Sequence, residues 1–101
     1  MFVAEIDSAV VGFACVWGRV KSEEPDDNPA DYAFISDLLV RAAYRRRGVG
    51  RSLMRALEEY ARSCGADVLR VQALARNTGA TGFYGRQGFS DFQIELAKRL
   101  R

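Results

Sequence analysis

Histidine is absent from the 101 residues, and cysteine and proline occur only twice each. Without histidine the Ser-His and Cys-His nucleophile schemes are excluded. With no clustered cysteines either, a zinc site has too few ligands, and no metal is expected. Cys15 and Cys64 lie far apart and form no CxxC pair. They read as reduced residues, one in a strand and one on a helix face, in a reducing, cytoplasmic compartment. No apolar run approaches the roughly 18–20 residues of a membrane-spanning helix. The N-terminal stretch has no basic segment followed by a continuous apolar one, so a secretion signal is not expected. A formal net charge of +2 gives little support to general polyanion binding.

What is present is the balance of a folded globular chain, with 49% hydrophobic and 28% charged residues. The length suits one domain and is too short for two, so residues 1–101 read as a single unit. Phe2 to Ile6 and Val10 to Trp17 are apolar, β-branched and aromatic, and they flank Asp7-Ser8, the pattern of a tight antiparallel hairpin. From Arg19 to Asp31 the chain is polar, with Glu23, Glu24, Asp26 and Asp27 clustered around Pro25 and Pro29, and reads as a loop. Such a loop is either an ordinary solvated connection or a source of local field for a cationic ligand. Tyr32 to Val40 is a third strand.

Val49, Leu53, Leu57, Tyr60, Ala61 and Cys64 recur at helical spacing, and Gly65 follows as a stop. Val68 to Leu74 predicts another strand. A shorter helix opens at Asn77-Thr78-Gly79, carries Phe83 and Tyr84, and ends at Gly88; Phe89 to Ala97 predicts a last strand. The order β-β-β-α-β-α-β implies an α/β domain of the α+β type. Its sheet is mixed and mostly antiparallel, with one parallel, right-handed βαβ crossover and helices on its faces.

Two segments carry chemistry. Val40 to Ser52 reads V-R-A-A-Y-R-R-R-G-V-G-R-S, a strand end and a basic loop with Gly48 and Gly50 where the long helix begins. A helix N-terminus exposes unpaired N–H groups and about half a positive charge, which suits a phosphate. Glycine at 48 and 50 removes side chains that would hold a phosphate away from those amides. Arg45, Arg46, Arg47 and Arg51 supply charge for a pyrophosphate or a ribose 3′-phosphate. By itself, the match reads more readily as a glycine turn with solvated arginines, because short glycine motifs match by accident often. A dinucleotide fingerprint is ruled out by Leu53 where its third glycine belongs, and no GxxxxGK[ST] run exists. The second segment, Asn77 to Phe89, reads N-T-G-A-T-G-F-Y-G-R-Q-G-F. Its aromatics are either core residues or, at the Tyr84 hydroxyl, a proton donor for a leaving thiolate.

Together, RxxGxG opening a helix after one strand and N-x-x-A-x-x-x-Y-x-x-x-G-F after the next resemble the GNAT superfamily of N-acetyltransferases. The resemblance runs from about Phe2 to the C-terminus and is specific from Ile35 to Phe89. It implies acetyl-CoA as cosubstrate and transfer of its acetyl group to a small-molecule or peptide amine by direct attack. Backbone groups near Leu38 and Val40 are implied to hold the pantetheine arm like an added strand edge. Amides from Arg46 through Gly48, Val49, Gly50 and Arg51 to Ser52 are implied to hold the pyrophosphate. Asn77 is implied to touch the cofactor, and Tyr84 to act as general acid beside the sulfur.

The chain departs from the family pattern in three places. Gln72 stands where many relatives that acetylate protein N-termini carry glutamate, and Ser36-Asp37 where polyamine-acetylating relatives have Glu-Asp. Asp37 is therefore either the base or water-holding group, or a strand-end carboxylate paired with an arginine. The family's first strand and two helices, which form much of the acceptor site, have no counterpart before Phe2. That leaves apolar sheet surface near Phe2, Val11 and Phe13 uncovered, and a homodimer or a second chain is expected to cover it. The alternative function is a non-catalytic CoA-binding or assembly module. Nucleic-acid binding through Arg41, Arg45, Arg46, Arg47, Arg51 and Arg55 is disfavoured by the small net charge and by the lack of a stacking face.

Overall fold

Asp7 and Ser8 take positive φ values of 51° and 67°, the two-residue turn whose twist matches a right-handed hairpin. They join β1 (Phe2–Ile6) to β2 (Ala9–Val20). These strands belong to a computed structural model that describes residues 1–21 and 31–101. Most of the expected acidic loop, residues 22–30, lies outside the described residues, and β2 extends to Val20, beyond the expected strand end. β3 (Tyr32–Val40) pairs antiparallel with β2, and β4 (Val68–Val71) pairs parallel with β3, giving a four-stranded sheet in the order β1-β2-β3-β4. Between β3 and β4 the chain makes a 3-10 turn at Ala42–Tyr44 and then the long helix α1 (Val49–Ser63). The mixed sheet and crossover bear out the expected fold class.

α1 covers one face of the sheet. Its buried residues are Val49, Leu53, Met54, Leu57 and Ala61, and the first four of these pack with Val11, Ala14 and Ile35. Met54 and Leu57 are almost fully enclosed, each worth about 1.5–3 kcal/mol of burial. Tyr60, expected on this face, sits at its margin, largely exposed and edge-on to Phe2 at 5.8 Å. The helical spacing was legible, whereas a one-position widening of the buried stripe to Met54 was not.

After β4 comes α2 (Thr78–Arg86). The strand expected over Phe89–Ala97 does not form, and the order ends at this helix. Phe92, Ile94 and Leu96 alternate as strand residues should, yet they are 64%, 80% and 89% exposed. A period of two makes a strand only where a ladder partner and a surface to cover are both present. The segment is held instead through side chains. The Arg70 guanidinium lies 4.2 Å from the Tyr32 ring centre and 4.7 Å from that of Phe92, and donates to Gln93 Oε1 at 2.9 Å. No helix among the described residues is long and apolar enough to cross a membrane.

Candidate functional site

The parallel pairing of β3 with β4 begins at Tyr32–Val68 and stops at Ile35–Val71, although β3 continues to Val40. The cause lies one residue further along. Cys15 and Val16 are adjacent in β2 but oppose Asp37 and Ile35, so Ser36 is an extra residue, a bulge. A bulge bends its strand and interrupts the ladder. Beyond it β3 and the chain after β4 part, and a cleft of about 340 Å³ opens between Ser36, Asp37 and Leu38 on one side and Gln72, Ala73 and Leu74 on the other.

The backbone of β3 offers this cleft a free edge. Arg41 donates its N–H to the Val11 carbonyl at 2.8 Å, so every second residue back from it faces β2. Val40 and Leu38 therefore turn their N–H and C=O groups away from β2, toward the cleft. The Val40 carbonyl already accepts from Arg45 Nε at 3.1 Å, a brace between loop and strand end. Of the two positions expected to hold a pantetheine arm, Leu38 keeps both groups available, and Val40 keeps its N–H and one lone pair.

α1 begins just past this loop. Arg46 and Gly48 take left-handed backbone conformations, φ 63° and 82°, and Gly48 is the N-cap. The first intrahelical bond runs from the Ser52 N–H to the Gly48 carbonyl at 3.0 Å, which leaves the amides of Val49, Gly50 and Arg51 without helical acceptors. No side chain caps them among the described residues, and no acidic residue occupies the first turn. The two glycines differ in role. A Cβ at Gly48 would meet open space, whereas one at Gly50 would come within 3.1 and 3.2 Å of the Phe83 ring. Gly50 thus lets the Phe83 ring of α2 sit close against the start of α1, in addition to any access it gives a phosphate. Arg47 lies over the Tyr44 ring at 5.1 Å.

α2 aims the tyrosine. Asn77 is its N-cap, accepting the Ala80 N–H on Oδ1 at 3.1 Å, so the expected cofactor residue is first a structural cap. At the other end Gly88, at φ 93°, donates to the Gly85 carbonyl, and Phe89 donates to the Tyr84 carbonyl at 3.0 Å. This is the Schellman closure, in which the residue after the glycine packs on the one five positions earlier. Phe89 and Tyr84 are that pair, with ring centres 5.4 Å apart. The G-F of the motif therefore fixes the tyrosine. Tyr84 lines the same cleft as Asp37, Gln72 and Asn77, and its partial burial raises the phenol pKa above the usual value of 10.0. Among the described residues Asp37 makes no ion pair, against the arginine-paired alternative. No group of metal-binding side chains occurs among the described residues. The cleft's Ala73 and Leu74 were expected only as strand residues, and Ala80 only as a motif position. The bulge that opens it could be read only from cross-strand register, which a single sequence does not carry.

In this fold a bulged strand parts from its parallel neighbour beside an uncapped helix N-terminus, and comparison with known proteins identifies the class to which it belongs. The profile of the acetyltransferase (GNAT) family matches residues 1–89, and the chain belongs to that family. It is 31% identical over 94 residues to an uncharacterised N-acetyltransferase of Methanocaldococcus jannaschii, MJ1207, covering 92% of this chain and 40% of that protein. Identity to an uncharacterised N-acetyltransferase of Bacillus subtilis, YycN, is 32% over 91 residues, covering 90% of this chain and 54% of that one. The chain thus spans about half the length of these curated relatives. Among solved structures, the aminoglycoside N-acetyltransferase AAC(6′)-Iy in complex with CoA superposes with a TM-score of 0.84 at 20% identity, over 98% of this chain and 73% of that one. At that identity the likeness is one of fold.

Proposed function

We propose that this chain binds acetyl-CoA and transfers its acetyl group to an amine. The observation that carries the reading is the continuity of two features. The parted β3 edge can pair with an extended amide-bearing arm, and the unpaired amides of Val49, Gly50 and Arg51 stand ready for a pyrophosphate. Family membership supports it, as do the CoA and bisubstrate-analogue complexes of AAC(6′)-Iy. On this reading residues 1–101 are one acetyl-CoA-binding unit, with Arg45, Arg46, Arg47 and Ser52 completing the phosphate loop and Asn77 beside the arm.

The chemistry follows from the groups in the cleft. The amine nitrogen attacks the thioester carbonyl carbon, the carbon–sulfur bond breaks, and the thiolate takes the Tyr84 hydroxyl proton. No enzyme nucleophile is involved, consistent with a chain that has no histidine. The proton lost by the amine passes to the Asp37 carboxylate or to water, because Gln72 cannot accept it as a base.

Thiol release from acetyl-CoA over a panel of small and peptidyl amines tests the proposal, together with native mass spectrometry of the same sample. Amine-dependent release and an acetylated product are expected, with one CoA per chain in a homodimer. CoA binding without release under any amine would favour the non-catalytic binding module instead.

A further inference from the structure

The sheet divides the groups around the cleft between two sides. Phe83 and Tyr84 of α2 pack against the core that α1 covers, so Tyr84 reaches the cleft from the helix side. A Cβ at Gly12 would meet Val49 and Leu53, and one at Gly18 would meet Tyr60 and Cys64, so both positions face α1. Strand alternation then turns Phe13, Cys15 and Trp17 to the opposite face. β3 opposes these three with Leu39, Asp37 and Phe34, the Ser36 bulge absorbing the uneven step. Asp37 therefore borders the cleft from the open face. An amine that attacks opposite the Tyr84 side must cross that face to arrive.

The surface beside Asp37 is aromatic. Trp17 is 65% exposed, opposes Phe34, and stands diagonally from Asp37 across the strand pair. Diagonal neighbours are about 7–8 Å apart, within reach of a long aromatic side chain. Among the described residues Trp17 packs on no other ring, and Asp37 makes no ion pair and no side-chain hydrogen bond. An unpaired carboxylate beside an open aromatic surface suits one cationic nitrogen on an apolar body. It does not suit several cations. Only Glu5 among the other strand residues carries a carboxylate, two strands away, and the Arg70 guanidinium stands opposite Phe34. We infer that the acceptor is a monoamine bearing an aromatic ring, with its nitrogen at Asp37 and its ring on Trp17 and Phe34. This inference rests on the proposed acetyl transfer and names the acceptor class for it, with Trp17 as the residue that sets specificity.

Amine-dependent thiol release from acetyl-CoA with phenethylamine, propylamine and spermidine tests it, in parent protein, Trp17→Ala and Trp17→Phe. The replaced side chain is exposed, so the fold should survive. Parent kcat/KM for phenethylamine should exceed the values for propylamine and spermidine by at least about tenfold, the scale on which apolar sites discriminate. Trp17→Ala should remove most of that advantage by raising the phenethylamine KM, with propylamine kcat/KM and acetyl-CoA KM unchanged. Trp17→Phe should restore most of it, since a smaller ring still offers an aromatic surface. Spermidine used by the parent as well as phenethylamine would overturn the inference and leave acetyl transfer intact. So would a Trp17→Ala loss shared equally by all three amines. A change of mass in light scattering on Trp17→Ala would assign this surface to a second copy of the chain and overturn it too. Thiol release with no amine at all would overturn both the inference and the transfer reading.

Discussion

Tyr84 reaches the cleft because Phe89 folds back on it, and its partial burial keeps the phenol protonated beyond the usual range. For a group that must give up a proton only as the thiolate departs, that is the useful direction of shift. Positioned proton donors contribute about 10²–10⁴-fold, so Tyr84→Phe should lower turnover at saturating acetyl-CoA by at least about tenfold with CoA affinity nearly unchanged. The parent rate should rise with pH through about 8–9 as the free-amine fraction of an alkaline acceptor grows. Because burial raises the phenol pKa, a falling limb belongs above about pH 10, and Tyr84→Phe should lack it. Asp37→Asn should cost less than Tyr84→Phe, because water can also take the amine proton. Equal turnover of parent and Tyr84→Phe would reduce Tyr84 to a packing residue. The sequence pointed to this side chain through its motif. It could not show that the following Gly-Phe pair is what orients it.

Helix ends account for most of the two motifs. The N of the second motif caps α2, its G-F closes it, and the last glycine of the first motif gives Phe83 room against α1. Such signals are local, so they were legible: a cap, a stop and a glycine have sequence signatures that need no partner strand. Two features depended on distant register and were not legible, namely the Ser36 bulge and the failure of the Phe89–Ala97 strand. The structural and ligand-facing roles of Asn77 can be separated. Asn77→Ala should destabilise the protein by about 0.5–2 kcal/mol in urea unfolding through loss of the cap. Asn77→Ser should retain most of the stability, since serine also caps, yet weaken CoA binding if the lost amide donor touches the cofactor. Unchanged stability of Asn77→Ala would show that the cap observed here contributes nothing.

At the scale of the whole molecule, the two faces of the sheet differ. A Cβ at Gly12 would lie 3.3 Å from Leu53 and from Val49, so that position faces α1, and its neighbour Phe13 points the other way in register with Val3 and Leu39. Val3, Leu39 and Trp17 are exposed by half or more. The expected uncovered surface is therefore centred on Phe13. Val11 is buried and Phe2 packs on Tyr60, so neither belongs to it. Both the cleft and the start of α1 sit at the end of β3, and one ligand lying across them is the central claim.

Backbone amide chemical shifts during a CoA titration test that claim most directly. The account predicts that the largest perturbations fall in two stretches that are not adjacent in sequence, Ser36 to Val40 and Arg46 to Ser52, and that they saturate together. Perturbations confined to other residues, or to only one of these stretches, would contradict it.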